Sequence, residues 1–350
     1  MLLVVVIIIA IMCAGMTAKG KNEFFEDYCS HKNTNTINAI FSILIFISHG
    51  VQYIELNNIF DEPYLAIRAF FSQGVVVTYL FYSGFGIMTS IKKKGFDYVK
   101  AMPKNRLFKT WLHFSIIILM FIATALFIGK DYSLEKYLLA FTGYSSIGNS
   151  NWYMFVTFAL YIIVIVSFFI FRKSSTLGLI STIILTIGFV LIEANVLNLH
   201  LMYYDTIFCF PLGMIFAVLK PYIDKIVMKN DIIWTITLCG LFTAFMYFSQ
   251  NRTETVYHRM LFFAIMPVLI TVLMMKVNIS SSILDWFGNH IFSFFMLQRI
   301  PMMLLQYLGL NRNSYFFLAV SFFATVVIST VFDECMEKLD KVVFKKRIKA

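Results

Sequence analysis

Apolar residues in this 350-residue chain come in blocks, most of them close to the ~20 residues an α-helix needs to cross a bilayer's hydrocarbon core. Eleven such blocks can be marked, near 2–16, 37–54, 69–91, 111–129, 152–171, 177–195, 204–219, 232–249, 260–275, 289–309 and 315–332. Between them lie short polar connections and no long linker, low-complexity stretch or internal repeat, so one membrane domain is expected. Charged residues make up only 14% of the chain, against roughly 25% in soluble domains. The 39 phenylalanines exceed what one globular core would use. The pattern predicts an all-α integral membrane protein, a polytopic bundle of about 11 transmembrane helices. The first block lacks a basic leader and a cleavage site, so it reads as a short span rather than a removed signal peptide.

The net charge of +10 raises the question of nucleic acid, but the placement of the basic residues answers it. They sit in the short connections, as orientation signals do. Taking alternate connections, 22 Lys and Arg fall on one side and 6 on the other, with Arg299 left inside a block. The richer side, including the tail from Lys338 to Lys349, is expected in the cytoplasm, and Met1 outside. No nucleic-acid partner is implied. The five cysteines are scattered and unpaired in pattern, which fits neither a disulfide framework nor a zinc site.

Within this frame a few polar residues stand out. The second block ends in FISHGVQY, and His49 lies ~18 Å along a helix running outward from Ile37. An ionisable group at such depth is a functional suspect by default. Arg299, in HIFSFFMLQRIPM, falls near the middle of its block, the costliest place for a fixed positive charge. It needs an anionic ligand, carbonyls, water, or a protein carboxylate such as Glu193 or Asp205; Gln298 precedes it and Pro301 weakens the helix just after. Asn151, Trp152 and Tyr153, then Glu193 and His200, then Tyr203, Tyr204 and Asp205 gather on the same outer side. Trp and Tyr also form interfacial belts without any further role. The connection KKKGFDYVKAMPKNRLFKTW carries seven basic residues and one acid. It is read either as a topology signal that attracts anionic headgroups or as a surface for a polyphosphate. Phosphate-binding glycine loops, a nucleophile elbow and a metalloprotease motif are all missing from the sequence. A lone histidine at a polar cavity with a buried cation nearby suits proton abstraction from a hydroxyl, with charge stabilisation.

Several stretches, in order, resemble the acyltransferase-3 family of integral membrane O-acyltransferases. AIFSILIFISHG is similar to the family's first core helix with its histidine, LFYSGFGIMTSIKKK to the next span, and KNRLFKTW to the basic motif after it. NWYMFVTFALY, YDTIFCFPLGM and FSFFMLQRIP are similar to later landmarks, so the resemblance covers roughly residues 34 to 332. It departs from the family where an expected basic residue is Asn38 and an expected histidine is Gln298. The resemblance implies a ten-helix core over 34–335, an additional N-terminal helix and connection in 1–33, and a basic cytoplasmic tail in 336–350. It also implies a bacterial plasma-membrane enzyme that moves an acyl group, acetyl in the simplest case, from acyl-CoA to a hydroxyl of a cell-surface polysaccharide or glycolipid. On that reading His49 takes the acceptor's proton, Arg299 assists, and Lys104, Arg106 and Lys109 hold the donor. Trp152, Tyr153, Gln298, Glu193 and Asp205 contact substrate, and no metal is called for. The rival reading is a transporter or flippase of lipid-linked sugars, with His49 and Arg299 lining a passage.

Overall fold

The computed structural model describes residues 2–56 and 58–344. The chain is all-α, 77% helical. In chain order it forms α1 (Leu2–Ala14), α2 (His31–Gly50), α3 (Glu62–Phe71), α4 (Val77–Lys94), α5 (Phe96–Met102), α6 (Lys109–Phe127) and α7 (Leu134–Ala140). Then follow α8 (Trp152–Ile170), α9 (Ser175–Asn195), α10 (Cys209–Val227), α11 (Asp231–Gln250) and α12 (Val256–Leu273). The last elements are α13 (Ser282–Asn289), α14 (Ile291–Leu297), α15 (Arg299–Tyr307) and α16 (Ser314–Val343). Two three-residue strands, β1 (Met16–Ala18) and β2 (Val277–Ile279), pair antiparallel with Thr17 opposite Asn278, tying the N-terminal segment to the connection after α12. Lys345, Lys346, Arg347 and Lys349 of the expected basic tail lie outside the described residues.

Among the described residues, seven helical stretches are long and apolar enough to cross a membrane: Ile59–Lys94, Phe96–Phe127, Trp152–Ile170, Ser175–Asn195, Asp231–Gln250, Val256–Leu273 and Ser314–Val343. The other four expected blocks fall short for identifiable reasons. α1 has only 13 residues. α2 opens with the polar run HKNTNTIN, α10 closes with Lys220, Asp224 and Lys225, and the block 289–309 is broken at Gln298 between α14 and α15. The basic connection from Lys92 to Trp111 is not a loop. α4 runs through Lys94, α5 follows, and a π-helical turn over Pro103–Phe108 leads directly into α6.

Packing explains why α2 tolerates its polar residues. It is enclosed by protein on most sides, burying Asn33, Thr34, Thr36, Asn38 and Ser42 together with its apolar face. Phe46 packs against Phe294 of α14 and Phe322 of α16, with ring centroids 5.7 and 5.4 Å away. A helix surrounded by protein has no need to be uniformly apolar, whereas a lipid-facing one such as α11, which buries only Phe245 and Ser249, does. α4 and α10 cross at two glycines. A Cβ on Gly84 would run into the Phe210 backbone carbonyl, and one on Gly213 into that of Phe81. Small residues at such a crossing let two backbones approach and gain dispersion contact over their length.

Candidate functional site

The last turns of α2 place Ile45, Ser48 and His49 on one side of the helix, at i, i+3 and i+4, and the turn just after it adds Gln52. α3 repeats the spacing with Leu65, Arg68, Ala69 and Ser72. The two faces border a partly open cavity of about 710 Å³, lined also by Gln73, Val75, Val76, the 146–152 segment, Met202, Phe295 and Arg299. Its histidine and both its arginines therefore come from three elements, the consecutive α2 and α3 and the distant α15. Ser72 turns the chain out of α3 with φ +45°, a conformation uncommon outside glycine.

The geometry fixes each cation. The Arg68 Nε donates to Ser48 Oγ at 3.2 Å. The Arg299 Nε donates to Ser150 Oγ at 3.2 Å and its Nη2 to Gln52 Oε1 at 2.9 Å. Among the described residues neither arginine forms an ion pair. The expected carboxylate partners are engaged elsewhere or isolated. Asp205 accepts from Arg259 Nε at 2.8 Å, and neither carboxylate oxygen of buried Glu193 has a hydrogen-bond partner. Both guanidinium groups line the same cavity as His49. The imidazole lines the cavity, its Nδ1 is buried without a partner, and its ring lies 6.2 Å from that of Phe295. Gly50, next in sequence, sits against Leu318 and Met302, so the glycine serves helix packing.

The 146–151 segment is shaped by its own polar groups. Ser146 Oγ donates to the Asn149 carbonyl at 2.7 Å, and the Ile147 N–H donates to Asn149 Oδ1 at 3.0 Å. Gly148 at φ +112° has no room for a side chain beside the Met303 sulfur. The Asn151 amide donates to the Gly143 carbonyl at 2.9 Å and to the Tyr203 hydroxyl at 2.9 Å, which pins the segment to the turn before α10.

Of the residues singled out in the sequence, His49, Asn151, Trp152 and Arg299 meet in this cavity. Tyr153 stands behind it, edge-on to Phe295 at 5.5 Å and to Tyr79 at 6.2 Å. Gln298 is fully buried, donating from Nε2 to the Phe295 carbonyl at 2.8 Å. Glu193 and Asp205 do not line the cavity. Lys104, Arg106 and Lys109 lie beyond the far end of α4, whose 18 residues span ~27 Å from the cavity wall at Val76. There Lys109 pairs with Asp340 at 2.6 Å, Lys104 lies over the Phe344 ring at 5.7 Å, and Arg106 is exposed. Among the described residues no cluster of His, Cys, Asp or Glu is arranged to hold a metal ion. The residue the sequence reading passed over is Arg68. LAIRAFFS places it inside a helix otherwise apolar for several residues.

Comparison of the chain with protein-family profiles, characterised proteins and solved structures finds no match. The acyltransferase-3 resemblance therefore rests on the motifs quoted above.

Proposed function

We propose that this chain is a membrane O-acyltransferase that moves an acetyl-sized acyl group from acyl-CoA to a hydroxyl of a surface polysaccharide or glycolipid. One observation carries the reading: His49, with an unpartnered ring nitrogen, shares a cavity with the guanidinium of Arg299 and with no carboxylate. In that arrangement the imidazole takes the proton of the acceptor hydroxyl as its oxygen attacks the thioester carbonyl. The new C–O bond forms, negative charge collects on the former carbonyl oxygen, and a guanidinium is suited to stabilise it. Collapse breaks the C–S bond, and the departing CoA thiolate takes up the proton that His49 holds. Trp152 and the Ser and Asn side chains of the 146–151 segment offer an amphipathic wall for a sugar ring.

The finer topology belongs to the same proposal. Counting α1, α2, α10 and the broken α14–α15 pair beside the seven apolar stretches gives eleven spans. The 22-to-6 asymmetry of basic residues then puts the chain's C-terminal end in the cytoplasm of a bacterial plasma membrane, with the cavity toward the outer face. The donor would enter from the side of Lys104, Arg106 and Lys109. The test is consumption of radiolabelled acetyl-CoA by the purified chain, paired with mass spectrometry of the surface glycan from a deletion strain. Loss of glycan O-acetyl groups and label transfer support the reading. Movement of a lipid-linked sugar across proteoliposomes without acetyl-CoA consumption would establish the flippase instead.

A further inference from the structure

The cavity around His49 is unbalanced in two respects, charge and hydrogen bonding. Arg68 and Arg299 both line it, and among the described residues no Asp or Glu does. Arg68 is held through its Nε, and among the described residues its two terminal nitrogens have no hydrogen-bond partner. Arg299 keeps Nη1 free, and the Nδ2 of Asn149, a residue 3% exposed, is buried with no acceptor. Unpaired donors thus line one cavity, in which Ser48, Ser150 and Gln52 each already accept one bond from an arginine. A guanidinium among membrane helices is costly without a counter-charge, and two facing one cavity compound the cost. A ligand bearing several anionic oxygens supplies both what the charges and what the donors need, and the flat fork of arginine matches carboxylate and phosphate geometry.

We infer that this cavity binds substrate through a carboxylate or phosphate group gripped by Arg68 beside Arg299. The inference deepens the acyltransferase reading by naming the charge of the bound molecule. The anion can come from the acceptor, as a uronic acid or sugar phosphate, or from the phosphates of the donor. Arg68 is here a binding residue, and His49 keeps the chemistry.

The test is equilibrium binding to the purified full chain in detergent, measured without turnover. The probes are D-glucuronate and glucose 1-phosphate against D-glucose, and coenzyme A against the neutral pantetheine. An anionic probe should bind at least about tenfold tighter than its neutral counterpart, as expected of a charge-assisted bidentate contact. Arg68→Gln should abolish that preference and Arg68→Lys should restore part of it, each variant running as a single species on size exclusion. Preference for the sugar anions assigns the site to the acceptor, and preference for coenzyme A assigns it to the donor. Both outcomes support an anion site. Equal binding of charged and neutral probes by the unmodified chain overturns it, as does a preference that survives Arg68→Gln. Because binding is read alone, a chain that holds anions yet transfers no acetyl group would defeat only the acyltransferase reading.

Discussion

Removing Arg259 should strand a buried carboxylate. Asp205 has no exposed side-chain surface, while Arg259 keeps 24% of its own and lies 5.5 Å from the Phe263 ring. At 2.8 Å and an effective dielectric of ~20, the pair attracts by about 6 kcal/mol. Desolvating two charges offsets most of this, so the intact pair contributes little net stability. Breaking it is another matter. Arg259→Ala leaves Asp205 buried without its counter-charge, with an expected cost of about 3–5 kcal/mol, capped by protonation of the stranded acid. The double variant Asp205→Asn, Arg259→Met carries no charge and should recover most of that loss. The assay is heat challenge of detergent-purified protein, with the folded fraction read by size exclusion. If Arg259→Ala costs less than about 1 kcal/mol, or the double variant is no more stable than the single, the argument that this pair clamps the turn before α10 to α12 is wrong. The same double variant examines the role given to Asp205 by the sequence. As a substrate contact its loss should abolish acyl transfer, and as an ion-pair partner it should leave transfer near normal.

Four further outcomes are expected. His49→Ala should keep the fold and lower acyl transfer by about 10²–10⁴-fold, and near-normal turnover would remove His49 from the mechanism. Arg299→Lys keeps the charge but loses the planar fork that reaches Ser150 and Gln52 together, so it should lose most activity while remaining folded; unchanged kinetics would exclude a catalytic role. Gly213→Ala should destabilise by at least about 1–3 kcal/mol, because the obstructing atom is the Phe81 backbone carbonyl, and a stable variant would show that the α4–α10 crossing is looser than described. A cysteine at exposed Asn198 should react with an impermeant reagent in intact cells and one at exposed Lys94 should not; labelling of position 94 would reverse the proposed orientation.

The lipid-facing part of the fold was readable because its rule is simple. A helix that meets hydrocarbon must be apolar over its length, and α8, α9, α11 and α12 advertise themselves in that way. The protein-facing part was harder. α2 carries a polar opening that protein, not lipid, surrounds, and the break at Gln298 interrupts a block that hydropathy runs straight through. Of the site, His49 and Arg299 were visible because ionisable groups in apolar runs are rare. Arg68 escaped because it lies in the first part of the Ile59–Lys94 stretch, before the apolar density that marks α4, where a basic residue looks like a topology signal. Glu193 and Asp205 were drawn toward the site by their place on the outer side and by the family resemblance. Depth along a helix says nothing of the direction a side chain faces, and packing turns Asp205 toward α12.

The interrupted helix gives these observations a common physical logic. His290, just before α14, lies 3.9 Å from Asp333, and Ser293 donates to the same carboxylate at 2.6 Å. Nearby on α6 and α16, His113 and Lys109 both meet Asp340, at 2.9 and 2.6 Å. Phe295 and Arg299, farther along, line the His49 cavity. The 290–299 stretch therefore joins two polar regions through a segment otherwise made of isoleucine, phenylalanine, methionine and leucine. A continuous apolar helix facing lipid would carry neither set of polar groups without a large desolvation cost. Enclosed by α2 and α16, it can carry both and break between them, because Gln298 donates to the Phe295 carbonyl at the interruption. The protein-enclosed helices hold the polar chemistry, and the lipid-facing helices supply the apolar surface that keeps the assembly in the membrane.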